Sequence, residues 1–379
     1  MADAQPLMTN DIPLSFIEVH ESDRKVLHDQ NAFLCLFAEK NVETKYGDVR
    51  VSMQGTEGKP AIVTFHDIGQ NHTSAFLGFF NFVDVQPLLE HFCIYHIDAP
   101  GQENCEKQLP ETFVYPTMEE LADFVVHEVV KQLSISRFIG LGVGAGANVL
   151  CRYGLMYPDF VDALVLVNLS VGKSGWIEWG YQKVCVRQLH NKGLTTFVED
   201  YLLWHHFGEK TKEENLDLSS AYKDSLRSLL NPHNLALFIN SYITRTNIDI
   251  VRPVEGGPNP RSLKCPTLLV TGTFSPHGDD VVESNSRLDP KISEYMKVSD
   301  CGGMPLEEQP AKVAQALILF LQGNGYVQRL RACSTRGLSS TASSSQTSLQ
   351  SLSSGSPARS SQSLSTDSPA KTNLGPVAC

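Results

Sequence analysis

The stretch Ile139-Gly140-Leu141-Gly142-Val143-Gly144-Ala145-Gly146-Ala147-Asn148 decides the fold. An apolar run over residues 137–141 leads through a turn of small residues into a helical pattern, Ala145–Met156. A strand, a sharp turn and a helix in this order are typical of the G-x-S-x-G nucleophile elbow. The nucleophile position is held by Gly144, which has no side chain and cannot form an acyl-enzyme. The turn therefore predicts an enzyme-like scaffold that lacks its attacking atom.

The same turn also fits a second motif. Counted from Gly142, it matches G-x-G-x-x-G/A, the phosphate-binding turn of dinucleotide-binding domains. That turn normally follows the first strand of its domain, whereas strand-like runs at residues 61–65 and 92–97 precede this one. The next strand ends in Asn168 instead of the acidic residue that would bind the ribose. We therefore favour the degenerate elbow over a nucleotide site.

Composition bounds the class of protein. The chain has 379 residues, of which 41% are hydrophobic, and this suits one sizeable globular domain with appendages. Its net charge of −11 disfavours nucleic acid as a partner. The nine cysteines are dispersed without metal-ligand spacing, which is typical of reduced thiols and favours a cytoplasmic location. We expect no secretory signal and no transmembrane segment, although peripheral membrane association stays open.

Strand patterns alternate with helical patterns through the first half of the chain, which predicts βαβ units and a parallel sheet. The predicted fold class is α/β, with an α/β-hydrolase-like, mostly parallel sheet flanked by helices and an inserted helical cap. Five segments follow from this pattern: an N-terminal arm (1–30), the first part of the sheet domain (31–171), the cap (172–262), the second part of the sheet domain (263–325) and a disordered Ser/Thr-rich tail (326–379).

The catalytic triad of this fold occurs in the chain order Ser, Asp/Glu, His. The acid normally follows the strand after the cap, where this sequence has Ser275. Asp279 and Asp280 lie a few residues further on, at a predicted helix start. The histidine normally follows the last strand, where this sequence has Gly303. With Gly144 at the nucleophile position, all three triad positions are replaced, so we predict that the chain is not a hydrolase.

Two backbone donors of an oxyanion hole are nevertheless expected. By analogy they are the N–H groups of Ile68 and Ala145, and they would bind a carbonyl or an anion. The alternative, that these two turns only close the fold, stays open. If the chain is non-catalytic, we expect apolar side chains of the cap to fill the space around Gly144; an enzyme would instead keep an open pocket with a nucleophile and a base.

Other residues at predicted strand ends could carry chemistry. His66, Asp67, His72 and Asp98 lie on the same face, but their spacings match no known ligand pattern, so we predict no metal site and no cofactor. Cys151 is predicted to pack against the sheet, as free cysteines commonly do. His66, Asp67 and Asp98 are kept as possible lining of a vestigial pocket.

Several motifs, taken together, resemble the N-myc downstream-regulated (NDRG) family. They are T-F-H-D-I-G-Q-N-H (64–72), F-F-N-F (79–82), H-I-D-A-P-G-Q (96–102), Y-P-T-M (115–118), E-L-A (120–122), G-V-G-A-G (142–146), N-S-R-L (285–288) and D-C-G-G (300–303). The resemblance covers about residues 30–330 and implies an α/β-hydrolase fold without hydrolase activity. It also implies roles in differentiation, stress response, growth control and trafficking, exercised through protein partners that bind the folded domain and cap. The alternative is a residual hydrolase or small-molecule receptor that uses a non-standard site under the cap.

The resemblance further implies a tail phosphorylated by basophilic kinases of the SGK and Akt type. Ser334 has arginines at positions −5 and −3, and Ser339 has one at −3. Ser356 and Ser368 each precede a proline, which suits proline-directed kinases. Chance matches in a solvated linker are the alternative, since sixteen of the 47 residues from 333 to 379 are serine. The tail lacks the decapeptide repeat of one branch of the family, so no paralogue is assigned.

Overall fold

The computed structural model describes residues 38–254, 257 and 260–326. The predicted N-terminal arm, almost all of the predicted tail and the four candidate phosphorylation sites (Ser334, Ser339, Ser356 and Ser368) lie outside the described residues.

An eight-stranded sheet runs through the described part of the chain, with the strand order β1-β2-β4-β3-β5-β6-β7-β8. The second strand pairs antiparallel with both of its neighbours, and the pairs from β4 to β8 are parallel. The strands are β1 Ala38–Thr44, β2 Gly47–Gly55, β3 Ala61–Phe65, β4 Cys93–Ile97, β5 Phe138–Val143, β6 Val161–Val167, β7 Thr267–Gly272 and β8 Ser293–Val298. The predicted α/β fold class is confirmed.

Helices connect the parallel strands. In chain order they are α1 Gly78–Phe80, α2 Gln86–Leu89, α3 Met118–Glu120, α4 His127–Gln132, α5 Ala145–Met156, α6 Trp176–Lys192, α7 Thr196–Glu214, α8 Leu216–Leu229, α9 Pro232–Ile243, α10 Gly278–Arg287, α11 Pro305–Glu308 and α12 Pro310–Gly323. Two π-helical stretches and a 3-10 helix are also present in the described residues: Thr73–Leu77 precedes α1, Leu121–Val126 joins α3 to α4, and the 3-10 helix Pro158–Phe160 precedes β6. Among the helices of the described residues, none is long and apolar enough to cross a bilayer.

The sheet separates two hydrophobic layers because successive side chains of a strand point to opposite faces. On β6, Leu164 and Leu166 pack on the face covered by α5 and by cap side chains, whereas Val165 and Val167 pack on the face covered by α12. All four side chains are buried. A strand buried on both faces in this way has a continuous apolar sequence, as Val161–Val167 does.

Four helices, α6 to α9, lie between β6 and β7 and form the cap. Their inner side chains, among them Leu189, Leu202 and Phe238, join the hydrophobic layer on the α5 face of the sheet. Helix α7 is kinked at Gly208, whose φ of 77° is open to glycine but strained for other residues. This kink lies two residues after His206, and the buried stretch around it is the part of the cap that enters the candidate site.

Candidate functional site

The elbow has the backbone geometry that its sequence predicts. Strand β5 ends at Val143, helix α5 begins at Ala145, and Gly144 between them has φ 53° and ψ −111°. Gly146 allows the start of the helix to approach β3, because a Cβ at this position would lie 2.0 Å from the carbonyl oxygen of Phe65. The turn is therefore the sharp strand-to-helix turn of a nucleophile elbow with glycine at its apex.

The two predicted oxyanion donors converge on one acceptor, and that acceptor belongs to the chain itself. The N–H groups of Ile68 and Ala145 each donate to Oδ1 of Asp67, at 2.8 Å in both cases. Asp67 is only 2% exposed. Hydrogen bonds from N–H groups to a carboxylate are stronger than those to a neutral acceptor. The position that an oxyanion takes in a hydrolase is thus occupied by a permanent carboxylate.

The same carboxylate also takes the place of a nucleophile side chain. A Cβ built on Gly144 would lie 2.1 Å from Cγ of Asp67, far inside van der Waals contact. A serine at residue 144 and the observed position of Asp67 therefore exclude each other. The observed position of this aspartate therefore requires a residue without a side chain at position 144.

Two histidines of cap helix α7 cover Asp67. Nε2 of His205 lies 3.0 Å from Oδ2 of Asp67, and Nδ1 of His206 lies 3.8 Å from the same oxygen. Burial alone would raise the pKa of Asp67, but the charge and hydrogen bond of His205, together with His206 and the Ala145 N–H, hold it well below its usual range. Burial and the neighbouring His205 lower the pKa of His206 to about 3.

The space around Gly144 was expected to be filled, but the group nearest to it, Asp67, comes from the loop after β3 and not from the cap. We predicted apolar side chains around Gly144, and the groups that stand there are a carboxylate and two imidazoles, each 2% exposed. This prediction is wrong because the vacated oxyanion hole still offers two N–H donors that need an acceptor. A carboxylate satisfies both donors, and the buried charge then needs the histidines as partners.

The other two degenerate triad positions are tied together by Asn168. Its Nδ2 donates to the carbonyl oxygen of Gly303 at 2.6 Å, and its Oδ1 accepts from the hydroxyl groups of Ser275 and Thr271 at 3.2 and 3.0 Å. A Cβ on Gly303 would lie 2.2 Å from the carbonyl oxygen of His206, so the cap leaves no room there for a catalytic base. Ser275 and Gly303 therefore form a structural hydrogen-bond network.

A second buried cluster contains the remaining strand-end residues. Asp98 accepts from the backbone N–H of His72 and lies 2.6 Å from its Nδ1; burial raises the pKa of Asp98, but His72 outweighs this and lowers it. Nε2 of His66 accepts from the N–H of Ala99, and burial lowers the pKa of His66. His66, His72 and Asp98 are thus engaged with each other and with backbone, and the carboxylate of Asp67 is directed away from them to the elbow.

The four residues considered for a metal therefore do not assemble into one site. Among the described residues, the group whose donor atoms could hold an ion consists of Asp67, His205 and His206, with the three atoms within 4.8 Å of one another. Cys151 is fully buried, and burial raises its pKa to about 12, which leaves it an unreactive thiol.

Sequence reasoning missed the histidines of the cap and the role of Asn168. The adjacent residues His205 and His206 lie inside α7, and no sequence motif assigned them to the elbow. The sequence around Asp67 does not indicate that His205, 138 residues later in the chain, contacts this aspartate at the elbow. One available signal was a pair of successive histidines followed two residues later by Gly208, a residue type that disfavours a helix interior.

Comparison with known proteins identifies the relatives of this chain. The model of the Ndr family matches residues 39–328. Protein NDRG3 of Xenopus tropicalis is 42% identical over 296 residues, which cover 77% of this chain and 74% of that protein. Protein NDRG1 of the same species is 40% identical over 313 residues, or 81% of this chain and 77% of that protein. The family resemblance predicted from the motifs is confirmed.

Solved structures with a similar fold are hydrolases of low sequence identity. An esterase from Thermogutta terrifontis superposes with a TM-score of 0.61 at 18% identity, covering 76% of this chain and 99% of the esterase. The enol-lactonase from Burkholderia xenovorans LB400 gives a TM-score of 0.59 at 16% identity, covering 75% of this chain and all of that enzyme. At these identities the likeness shows the α/β-hydrolase fold and does not extend to activity.

The mutual exclusion of Asp67 and a side chain at residue 144 predicts strong coupling between the two positions. We expect Gly144→Ser to lower the free energy of unfolding by at least about 3 kcal/mol, because the carboxylate must leave both N–H donors. In an Asp67→Ala background the same change should cost only the backbone strain at residue 144, about 1–2 kcal/mol. Denaturant unfolding of the four proteins gives the coupling energy.

Gly172→Ser is the matched control for this cycle, because a Cβ there has no neighbour within 4 Å. It should change stability by no more than about 0.5 kcal/mol. Equal costs for Gly144→Ser with and without Asp67 would show that the carboxylate does not occupy this space.

Proposed function

The chain belongs to the Ndr family, and we propose that it is a non-catalytic adaptor that binds protein partners through its folded domain and cap. One observation carries this proposal. The carboxylate of Asp67 sits in the oxyanion hole and in the place of the nucleophile at the same time. No acyl-transfer step is available while it is there.

The chemistry of ester hydrolysis supports the same conclusion. An acyl transfer needs a nucleophile, a base that takes its proton, and donors aimed at the developing oxyanion. Gly144 offers no nucleophile, and the position of the base, Gly303, is closed by the cap. A fixed negative charge in the oxyanion hole would moreover repel the charge that develops in the transition state. The site opposes catalysis at three separate points.

The alternative, a residual hydrolase or small-molecule receptor, requires an open polar cavity next to the elbow. The carboxylate and the imidazoles of His205 and His206 stand in that position, and all three residues are buried. A buried polar cluster suits a rigid surface that binds partners. Its hydrogen bonds fix the cap on the sheet domain, and it offers no reacting group.

For the cellular role we propose regulation of differentiation, stress response, growth control and trafficking, supported by the family to which the chain belongs. We propose a cytoplasmic location, supported by the dispersed cysteines. The six cysteines of the described residues are free thiols. The acidic net charge of −11 supports protein partners over nucleic acid.

Tail phosphorylation is the proposed control of this adaptor. The basic residues before Ser334 suit a kinase of the SGK or Akt type, since two cations at fixed spacing can pair with acidic groups of a kinase. Each phosphate adds about −1.5 to −2 charges at neutral pH. Modification of Ser334, together with Ser339, Ser356 or Ser368, would therefore change the electrostatic character of a tail that carries few acidic residues.

The proposal predicts no esterase activity. With a panel of short-chain and long-chain p-nitrophenyl esters, the intact chain should release nitrophenol no faster than the same chain after unfolding, because no nucleophile faces the substrate. Saturable turnover that Asp98→Asn or His206→Gln abolishes would contradict the adaptor and return the residual hydrolase. His190→Gln, at an exposed position of the cap, is the control for background catalysis by surface imidazoles.

Phosphorylation of Ser334 should depend on the arginine at −3. With an SGK-type or Akt-type kinase, we expect Arg331→Ala to lower kcat/KM for Ser334 at least about tenfold, the effect of losing roughly 1.4 kcal/mol of charge pairing. Lys371→Ala, a loss of charge elsewhere in the tail, is the matched control and should leave the rate unchanged. Phosphorylation is measured by mass spectrometry of the tail. Equal phosphorylation of the Arg331→Ala variant and the parent chain would refute this mode of control.

A further inference from the structure

The donor set over the elbow has the composition of a metal site. Asp67, His205 and His206 offer one carboxylate oxygen and two imidazole nitrogens within 4.8 Å of one another. From Oδ2 of Asp67, Nε2 of His205 lies at 3.0 Å and Nδ1 of His206 at 3.8 Å. Tetrahedral Zn²⁺ with bonds of about 2.0–2.2 Å holds its ligand atoms roughly 3.3 Å apart. Shifts of a few tenths of an ångström would bring these two distances to that value, and the two histidine nitrogens, which lie within 4.8 Å of each other, would have to approach by up to about 1.5 Å.

The hydrogen bonds around the three residues orient them as ligands. Nε2 of His206 lies 2.9 Å from the carbonyl oxygen of Ile68, which can only accept, so Nε2 carries the hydrogen and the lone pair of Nδ1 faces Asp67. A backbone carbonyl that fixes the tautomer in this way is the usual outer partner of a metal-bound histidine. Oδ1 of Asp67 is held by the N–H groups of Ile68 and Ala145, which leaves Oδ2 directed at the histidines.

We propose that Asp67, His205 and His206 bind a divalent transition-metal ion, with Zn²⁺ the ion that this donor set fits first. One carboxylate and two neutral imidazoles are ligands common to zinc sites. Binding replaces the hydrogen between Asp67 and His205 by the metal, and that proton leaves to solvent. Water completes the coordination sphere. The ion links cap helix α7 to the loop after β3, so it stabilises the closed cap.

Metal binding at this site is a separate property from the adaptor role proposed for the chain, and it does not depend on that role. A side-chain nucleophile at residue 144 is absent with or without the ion, so metal binding and the adaptor role are tested separately. The ion would instead set how firmly the cap is held, because its ligands come from both the sheet domain and the cap. Without the metal, the hydrogen bond between His205 and Asp67 joins the cap to the loop after β3.

The test uses the full chain, purified after chelation and titrated with Zn²⁺ alone. His190 and His233 form a second histidine pair on the cap, with ring centroids 5.2 Å apart, so every protein carries His190→Gln. We expect one Zn²⁺ per chain by calorimetry and elemental analysis. His205→Gln and His206→Gln should each weaken binding at least about 100-fold.

His277→Gln is the matched control. Its ring centroid lies 4.5 Å from that of His205, and its Nε2 contacts the backbone carbonyl of His205, but it is outside the donor set. It should bind Zn²⁺ within about threefold of the parent affinity, well under the roughly tenfold loss typical of a partner that orients a ligand. Equal affinity of the His205→Gln variant and the parent would overturn the proposal.

A second measurement needs no variant, in case His205→Gln does not fold. Crystals of the chain soaked in Zn²⁺ are measured on both sides of the zinc absorption edge. An anomalous peak about 2.0–2.2 Å from Oδ2 of Asp67, Nε2 of His205 and Nδ1 of His206 establishes the site. Anomalous peaks only at surface histidines or cysteines, or no peak, overturn it.

Discussion

The candidate site depends on one interaction, the two hydrogen bonds that the Ile68 and Ala145 N–H groups donate to the carboxylate of Asp67. The Ala145 N–H is a consequence of the elbow itself, because a strand that turns sharply into a helix leaves N–H groups without intrahelical partners, and the Ile68 N–H comes from the loop after β3. In a hydrolase the substrate satisfies them during the reaction. In this chain an aspartate satisfies them permanently, so an element of catalysis becomes an element of the folded structure.

The buried carboxylate constrains everything around it. A charge 2% exposed to solvent is tolerated only with charged and hydrogen-bonding partners, and His205 and His206 are those partners. The two histidines bring the backbone of α7 against Gly303, where a Cβ would meet a carbonyl oxygen at 2.2 Å. Glycine at residues 144 and 303 is therefore a steric requirement of the observed arrangement of Asp67 and the cap.

Local features were predictable from the sequence, and contacts across long separations were not. The elbow follows from glycine spacing within a few residues, its two oxyanion donors follow by analogy with that turn, and the parallel sheet follows from continuous apolar runs such as Val161–Val167. The side chain that fills the oxyanion hole depends on His205 and His206 of the cap. No hydrophobic periodicity in the sequence predicts that these residues contact the elbow. Apolar filling was predicted because burial usually selects apolar groups; two unsatisfied N–H donors reversed that preference.

Native-state hydrogen exchange of the Ile68 and Ala145 amides tests the occupied oxyanion hole most directly. If the carboxylate of Asp67 holds both groups, they exchange only when the cap opens or the chain unfolds, with protection within about 1 kcal/mol of the amide of Leu141 in the central strand β5. Exchange of both amides at the rate of an exposed loop amide, with Leu141 fully protected, would show that the hole is open and contradict the proposal of a non-catalytic site.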